Sequence, residues 1–279
     1  MSAVLPLPEP VSRRSQPRHA DPRVVHREQA KLAKRLRRQV GQAIADFGMI
    51  EDGDKVMVCL SGGKDSHTML HLIDRLKKIA PFDFEFKAVT LSYGMGEDLT
   101  FLSEHCRKFG IEHEVIDSKI FEIAGEHIRE NSSFCSFFSR MRRGALYTYA
   151  LNNGYNKLAL GHHLDDAAES FFMNLFQNGA LRSLAPKYKA SNGIYVIRPL
   201  ILMREAALAN FAKSNEIATI GDEACPAMNF KVKMPYKREE TKNFLKNLER
   251  EKPDLFVMLK SAFRHIHDDT FFDKERLKV

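Results

Sequence analysis

The chain has 279 residues, of which 44% are hydrophobic and 28% charged, and its formal net charge is +7 at pH 7. This length is sufficient for a full α/β core. No apolar run reaches membrane-spanning length and the N-terminus lacks the apolar stretch of a secretory signal, so we expect no membrane association. Four scattered cysteines indicate a cytoplasmic protein rather than a disulfide framework.

Positive charge is concentrated near the N-terminus. Residues 1–40 contain ten Lys/Arg and three Asp/Glu, a balance that equals the net charge of the whole chain. Because five of the eleven prolines fall within the first 22 residues, we predict a disordered basic tail over residues 1–24. A basic helix is predicted over residues 25–50. Its cations either form a solvated face or bind nucleic-acid phosphates, and the candidates for RNA binding are Lys34, Arg35 and Arg38.

The most informative stretch is a glycine-containing loop that directly follows an apolar strand pattern at 56–60. The loop reads Ser61, Gly62, Gly63, Lys64, Asp65 and Ser66. Adjacent glycines allow close backbone approach, and a lysine at a helix N-terminus favours an anion. A carboxylate beside phosphate is unfavourable unless a cation such as Mg²⁺ lies between them. The loop therefore predicts a pyrophosphate group with a metal ion. It is neither a Walker loop, which needs Ser or Thr after the lysine, nor a three-glycine dinucleotide loop.

Strand and helix patterns alternate through the middle of the chain. Strand patterns lie at 55–60, 85–92, 112–117, 157–161 and 194–198. Helical patterns lie at 65–79, 98–109, 139–153 and 164–177. This alternation predicts an α/β fold with a parallel five-stranded sheet and helices on both faces, followed by a C-terminal helical segment over residues 235–279. Ligands bind such sheets beyond the carboxyl ends of the strands.

A second polar motif follows the strand pattern at 157–161. It contains Gly161, His162, His163, Asp165 and Asp166. Carboxylates at a helix N-terminus act as caps or as metal ligands, and the motif alone does not separate these two interpretations.

Together, the Ser-Gly-Gly-Lys-Asp-Ser loop and the Gly-His-His-Leu-Asp-Asp turn resemble the two signatures of the PP-loop ATP pyrophosphatases. The resemblance implies a PP-loop ATPase domain, over residues 51–234, of the adenine nucleotide α-hydrolase type. It implies that ATP is bound by residues 61–66 together with Gly161, His162 and Asp165. It further implies catalytic roles for Lys64, Asp65 and Asp166, with the two aspartates holding Mg²⁺.

The chain resembles one branch of that family more closely than the others. Two stretches are similar to the TtcA family of tRNA 2-thiocytidine synthetases: Ser139-Arg140-Met141-Arg142-Arg143-Gly144, and Val196-Ile197-Arg198-Pro199-Leu200 followed by Arg204-Glu205. That resemblance implies adenylation of a cytidine at position 32 of the tRNA anticodon loop, followed by replacement of its 2-oxygen with sulfur. A persulfide-donating cysteine desulfurase is the implied sulfur source. Residues that would face the nucleotide or tRNA phosphates, unless they form a solvated helix face, are Arg140, Arg142 and Arg143.

The cysteines depart from the pattern of that family. Its members hold a 4Fe–4S cluster with a C-x-x-C pair and a later cysteine, but here the second position of the pair is Phe138. Cys135 and Cys225 therefore remain as the implied cluster ligands and catalytic cysteines. Three interpretations stay open: a cluster with a substitute ligand, a persulfide and resolving-thiol pair without a cluster, or a member with impaired activity. Cys59 and Cys106 are expected to be buried.

Two other functions are compatible with the motifs. One is a different PP-loop tRNA-modifying ligase of the lysidine-synthetase type, although its chemistry does not require cysteines beside the pocket. The other is a non-catalytic relative that binds ATP or RNA, an interpretation favoured by the loss of a sulfur-site ligand at Phe138. The basic N-terminal helix could pair with its copy in a homodimer.

Overall fold

The computed structural model describes residues 22–127, 134–219, 237–267, 270 and 272, with side chains from residue 26 onward in the first helix, up to 123 in the fourth and from 137 in the fifth. The described residues form nine helices and six strands. The helices are α1 (Pro22–Asp46), α2 (Lys64–Lys77), α3 (Thr100–Lys108), α4 (Ile120–His127), α5 (Phe134–Asn152), α6 (Leu164–Asn178), α7 (Glu205–Ser214), α8 (Lys237–Glu251) and α9 (Leu255–Ala262). The strands are β1 (Asp54–Cys59), β2 (Phe84–Leu91), β3 (His113–Ile116), β4 (Lys157–Ala159), β5 (Lys187–Lys189) and β6 (Tyr195–Ile197).

The six strands form one sheet in the order β3-β2-β1-β4-β6-β5. All neighbouring pairs are parallel except β5 and β6, which pair antiparallel through Tyr188 and Val196. The five predicted strands are all present, but the prediction of five strands is wrong because β5 was missed. This edge strand reads Lys-Tyr-Lys and lacks the apolar run of a strand buried on both faces. The short helices α4 and α7 were also not predicted.

Helices cover both faces of the sheet, as predicted. Alternate residues of β1 enter different cores, with Val56 and Val58 in the larger one and Met57 and Cys59 in the smaller one. The larger core is completed by apolar side chains of α1, α2, α3 and α7, and the smaller core by those of α4 and α5. Burial of apolar surface on both faces is the main stabilising contribution to this layered fold.

The N-terminal helix α1 is amphipathic and is held by the larger core. Leu36, Val40 and Ile44 are buried there, and α1 packs against α2 and α7. At the other end of the chain, α8 and α9 pack on α6 through Leu245 and Phe256. The described helices include none with both the length and the hydropathy needed to cross a bilayer. Residues 1–21 of the predicted tail lie outside the described residues, and the division of the chain into the four predicted segments stays a prediction.

The sheet places the two polar motifs side by side. β1 pairs in parallel with β2 on one side and with β4 on the other. The chain passes from β1 to β2 first and reaches β4 only after β3, so the order of strands reverses at β1. This is a topological switch point, where the ends of adjacent strands leave a crevice. The loop after β1 and the turn after β4 both lie at that crevice.

Candidate active site

The loop at 61–63 is shaped by its own hydroxyl groups and glycines. Gly62 has a φ of 82°, a conformation that favours glycine. The hydroxyl of Ser66 donates to the carbonyl of Gly63 at 2.8 Å and accepts from the backbone N–H of Ser61 at 3.1 Å. Ser66 is therefore used inside the loop. The N-cap residue Gly63 has no side chain to cap the first turn of α2, so the N–H groups there are available to an anion.

Gly161 brings the second motif into direct contact with the first. A Cβ atom at this position would lie 3.2 Å from the backbone nitrogen of Ser66 and 3.3 Å from the carbonyl carbon of Asp65. Those neighbours are backbone atoms and cannot move aside independently. Any larger residue would force the turn after β4 and the first turn of α2 apart by a few tenths of an ångström.

His163 and Asp166 cap the N-terminus of α6 reciprocally. Nδ1 of His163 accepts from the backbone N–H of Asp166 at 3.4 Å, and Oδ2 of Asp166 accepts from the backbone N–H of His163 at 3.0 Å. Nε2 of the buried His163 lies 3.5 Å from Oδ2 of Asp166 and 3.8 Å from Oδ2 of Asp65. The two aspartates predicted to share a metal thus flank one imidazole.

Asp65 has a carboxylate oxygen suited to a cation. Its Oδ1 is buried and has no hydrogen-bond partner among the described residues, while its Oδ2 lies 3.2 Å from Nζ of Lys64. Burial raises the pKa of Asp65, against the opposing effects of His163 and Lys64. A buried carboxylate oxygen without a partner is costly, and a metal ion would satisfy it. The residues present therefore fit Mg²⁺, which needs only one or two carboxylates when phosphates supply other ligands.

Lys64 is shared between the loop and α7. Its Nζ lies 3.0 Å from Oε1 of Glu205, whose Oε2 lies 2.9 Å from Nζ of Lys242 on α8. Burial opposes ionisation of Glu205, but hydrogen bonds from Lys242 and Lys64 outweigh it and lower the pKa of Glu205 to about 2. Glu205 therefore stays ionised and holds both lysines.

Asp165 and Asp166 have different partners. Both oxygens of Asp165 accept from Nε of Arg204, at 3.1 and 3.3 Å, and Oδ2 also accepts from the backbone N–H of Glu205 at 2.8 Å. Asp166 instead accepts from Nη2 of Arg238 on α8. Asp165 thus holds the start of α7, whereas Asp166 is the one of the pair that contacts Arg238 of α8. A role for Asp165 in ATP binding stays a prediction.

His162 faces a buried arginine. Its Nδ1 accepts from Nε of Arg198 at 3.3 Å, and the Arg198 guanidinium lies 5.2 Å from the ring centroid of Tyr188. Burial, followed by the charge of Arg198, lowers the pKa of His162 to about 4. His162 is therefore neutral at pH 7.

The described cysteines do not supply a cluster site. Cys59 and Cys106 are buried, as predicted, and burial raises their pKa values to about 12 and about 11, which keeps both thiols protonated. Phe138 is buried in the smaller core, with ring centroids of Tyr93 and Phe137 each 6.1 Å away.

Cys135 lies on α5 but its side chain is outside the described residues, as is all of Cys225. Among the described side chains, no group of three or more potential ligands is arranged around a metal position. With an apolar ring buried at position 138, the residues present do not fit a cluster held by three thiolates.

The predicted RNA-binding cations lie mostly on the surface. Arg140 and Arg143 on α5 are exposed, whereas Arg142 is half-buried and its charge reaches His162 and Cys59. The three predicted cations of α1 are also exposed, away from the buried Leu36 face, and they are Lys34, Arg35 and Arg38.

Several residues of the site were not singled out as site residues from the sequence. They are linked by ion pairs to Lys64, Asp65, Asp165 and Asp166, and they are Glu169, Arg204, Glu205, Arg238, Lys242 and Glu249. Together with Lys64, Asp65, Asp165 and Asp166 they make ten residues, which we call the ion-pair network. Arg204 and Glu205 follow the Ile-Arg-Pro-Leu stretch and were visible as part of the family resemblance. The cations and carboxylates of α8 carry no such local signal.

The crevice, its glycine loop and the paired aspartates define a nucleotide-binding α/β protein of the PP-loop type. The PP-loop domain family model matches residues 32–238. A tRNA-cytidine(32) 2-sulfurtransferase of Stenotrophomonas maltophilia is 43% identical over 281 residues, covering 98% of this chain and 89% of that protein. One from Xylella fastidiosa is 41% identical, covering 91% of this chain and 85% of that protein. The chain belongs to the PP-loop family and, within it, to the tRNA-cytidine(32) 2-sulfurtransferase family.

A solved structure shows the same fold. The U34-tRNA thiolase NcsA from Methanococcus maripaludis, solved with its 4Fe–4S cluster, matches with a TM-score of 0.67 at 23% identity. The match covers 90% of this chain and 86% of the thiolase.

Proposed function

We propose that this protein catalyses the ATP-dependent replacement of the 2-oxygen of cytidine 32 in tRNA by sulfur. The observation that carries the proposal is the 43% identity to a tRNA-cytidine(32) 2-sulfurtransferase over 98% of the chain. The geometry at the carboxyl ends of β1 and β4 supports the activation half of this reaction, because it combines an anion-binding loop with carboxylates suited to a metal ion.

The loop residues bind the pyrophosphate portion of ATP. The N–H groups at the start of α2 and the ammonium of Lys64 attract the phosphates, and Lys64 stabilises the charge on the pyrophosphate that leaves. The ion-pair network contains six carboxylates and four cations, a net charge of −2. A triphosphate entering this negative site needs a divalent cation, and Asp65 and Asp166 would hold Mg²⁺, which supplies charge neutralisation.

The activation step converts a poor leaving group into a good one. The 2-oxygen of cytidine attacks the α-phosphorus of ATP, and the bond to the β-phosphate oxygen breaks to release pyrophosphate. Carbon 2 then carries AMP, which leaves when sulfur attacks. Anticodon-loop bases are accessible to such a site without opening a helix.

Sulfur transfer is assigned to Cys135 and Cys225 without a cluster. One cysteine carries a persulfide received from a cysteine desulfurase, and its terminal sulfur displaces AMP from carbon 2. The other cysteine, as a thiolate, attacks the inner sulfur, which forms a disulfide between the cysteines and leaves the thiocarbonyl on the base. A dithiol reductant restores both thiols. The burial of Phe138 supports this route over a three-thiolate cluster.

The remaining partners follow from the reaction. The tRNA backbone is bound by cations of α5 and α1, named above, and the enzyme works in the cytoplasm. A homodimer through α1 stays a prediction: the apolar face of α1 is buried in the larger core, so such a dimer would have to use the exposed face that carries the cations.

The test uses purified protein, ATP and a tRNA transcript with cytidine at position 32. We expect pyrophosphate release that depends on the transcript, and release of AMP together with 2-thiocytidine in the digested product when a desulfurase and cysteine are added. A transcript with uridine at position 32 is the matched control. ATP binding without transcript-dependent AMP release would support the non-catalytic relative, which the loss of a thiol at Phe138 favours.

The sulfur route has its own measurement. Anaerobic purification and reconstitution, followed by iron and acid-labile sulfide assays, should show no iron bound by the protein. Roughly four irons per chain would identify a cubane cluster and overturn the persulfide route.

A further inference from the structure

We infer that Arg238 on helix α8 is a nucleotide-binding residue, whose Nη end exchanges Asp166 for the triphosphate while its Nε end remains on Glu169. This assignment rests on the proposed use of ATP and adds to the site a residue from outside the two sequence motifs.

The guanidinium of Arg238 bridges two carboxylates of α6. Its Nε donates to Oε2 of Glu169 at 2.8 Å, and its Nη2 donates to Oδ1 of Asp166. Asp166 stands in the first turn of α6, 3.5 Å from the imidazole that Asp65 also approaches. Arg238 therefore contacts the aspartate that caps α6, one imidazole away from Asp65 of the loop.

The two carboxylates differ in how easily they can release Arg238. The Glu169 side chain is only 6% exposed, and Arg238 is its one ionic partner among the described residues. Breaking that pair would leave a buried charge unpaired, which is strongly unfavourable. Asp166 keeps a second partner, because its Oδ2 also accepts from the backbone N–H of His163. The Asp166 end is therefore the one that exchanges.

The Arg238 side chain itself remains accessible. It is 61% exposed, although both of its carboxylate partners are largely buried. The planar guanidinium presents five donors and matches phosphate oxygens in a bidentate manner, so a phosphate can bind while Nε stays engaged. When a phosphate replaces Asp166 as the partner of the Nη end, the released Asp166 carboxylate is free to hold the Mg²⁺ that would neutralise the incoming charge.

Helix α8 is held firmly enough to position this arginine. Lys242, one turn further along, lies 2.9 Å from the glutamate that also binds Lys64. Glu249 receives two hydrogen bonds from Arg204, at 2.7 and 3.0 Å. Leu245 is buried against α6 between these two contacts. Two ion pairs and one buried leucine therefore hold α8 beside the crevice, and Arg238 extends from the first turn of this helix.

The test compares ATP binding by the full-length protein and its Arg238→Met and Arg238→Lys variants, measured by calorimetry with Mg²⁺ and without tRNA. A charge-assisted hydrogen bond to phosphate predicts a loss of about tenfold or more in ATP affinity for Arg238→Met, with little change in AMP affinity. Arg238→Lys should recover part of the loss. The matched control is Arg250→Met on the same helix, since Arg250 is exposed and bonds only Asn247 among the described residues.

Loss of the arginine could itself unfold the chain, because Glu169 would be left unpaired. The double variant Arg238→Met with Glu169→Gln removes that buried charge and provides a folded background. We expect it to bind ATP as weakly as Arg238→Met, and Glu169→Gln alone to weaken binding less. Wild-type affinity in a folded Arg238→Met protein, or in the double variant, would overturn the assignment. Absence of ATP binding by the wild-type protein would instead overturn the proposed function.

Discussion

Nζ of Lys64 lies 3.0 Å from Oε1 of Glu205, a residue 141 positions further along the chain. This contact joins the loop after β1 to the first turn of α7, and Glu205 in turn holds Lys242 of α8 at 2.9 Å. The lysine of the loop is thereby kept in position and partly neutralised before a ligand arrives.

Glu205→Gln should tighten ATP binding. The substitution removes one negative charge beside Lys64 and releases that ammonium for the phosphates, so we expect several-fold higher affinity at low salt. Since part of this gain is long-range electrostatic attraction, it should shrink at high salt. Titration calorimetry at two salt concentrations measures both effects. Glu251→Gln, at the exposed end of α8, is the control, and weaker binding by Glu205→Gln would mean that the glutamate mainly positions Lys64.

Lys64→Met should abolish tight ATP binding without unfolding the chain. The methionine retains the length of the side chain but removes the charge nearest the loop, so we expect a loss of about tenfold to a hundredfold in affinity. The control is Lys78→Met, which removes an exposed lysine bonded to Asp74 just beyond the end of α2. Equal ATP affinity of the two variants would contradict a phosphate contact by Lys64.

Gly161→Ala should disrupt the site through the backbone. The added Cβ would lie 3.2 Å from the Ser66 nitrogen, so the turn after β4 must separate from α2. We expect a lower free energy of unfolding and weaker ATP binding. Gly144→Ala on α5 has nothing within 4 Å of its new Cβ and should instead stabilise the protein by up to about 1 kcal/mol. Denaturant unfolding compares the two, and an unaltered Gly161→Ala protein would show that the close approach is not required.

Acid should destabilise the protein through buried histidines of α2. His67 is fully buried with neither ring nitrogen hydrogen-bonded in the described structure, and its ring centroid lies 4.7 Å from that of His105. Burial, with smaller effects of His105, His71 and His113, lowers the pKa of His67 to about 3 from 6.5. Between these values the unfolded chain binds a proton that the folded chain does not, so stability is full above pH 6.5 and falls as the pH decreases.

The His67→Phe variant should show a smaller loss of stability on acidification. Each such histidine contributes at most about 1.4 kcal/mol per pH unit to the slope of unfolding free energy. Denaturant unfolding at pH 7 and at a mildly acidic pH measures the slope. His265→Gln, an exposed histidine, should leave the slope unchanged, and an equally steep slope in His67→Phe would contradict the assignment.

Phe138→Cys should restore iron binding at the expense of stability. Loss of a buried phenyl ring leaves a cavity and should lower the free energy of unfolding by about 3 kcal/mol. The new thiol completes the C-x-x-C pair with Cys135, so we expect the reconstituted variant to take up iron that the wild-type protein does not. Phe137→Cys, the half-buried neighbour, offers a thiol in the wrong register. Iron uptake by both variants, or by neither, would contradict a specific ligand position at 138.

Most of the fold could be predicted because the central strands are buried on both faces. Residues 56–60 are an apolar run, and residues 85–92 carry Phe86, Ala88, Val89 and Leu91 between polar positions; both segments became interior strands of the sheet. Residues 187–189 have no such run, since an edge strand buries one side at most; Lys189 is exposed and Lys187 is half-buried. Helix α7 is short, so its apolar pattern alone is too weak to predict a helix. Its Leu208 packs into the larger core, which only the folded structure provides.

The same distinction applies to the site. The loop at 61–66 and the cap at 163–166 are local structures, whose conformations follow from glycines, hydroxyls and a helix start within a few residues of one another. The partners of those motifs are not local, since Glu205 reaches Lys64 and Arg238 reaches Glu169 across 141 and 69 positions of the chain. An exposed arginine at the start of an amphipathic helix has no sequence feature that distinguishes it from a solvated one. Only packing of α8 on α6, driven by Leu245 and its apolar neighbours, brings Arg238 to the crevice.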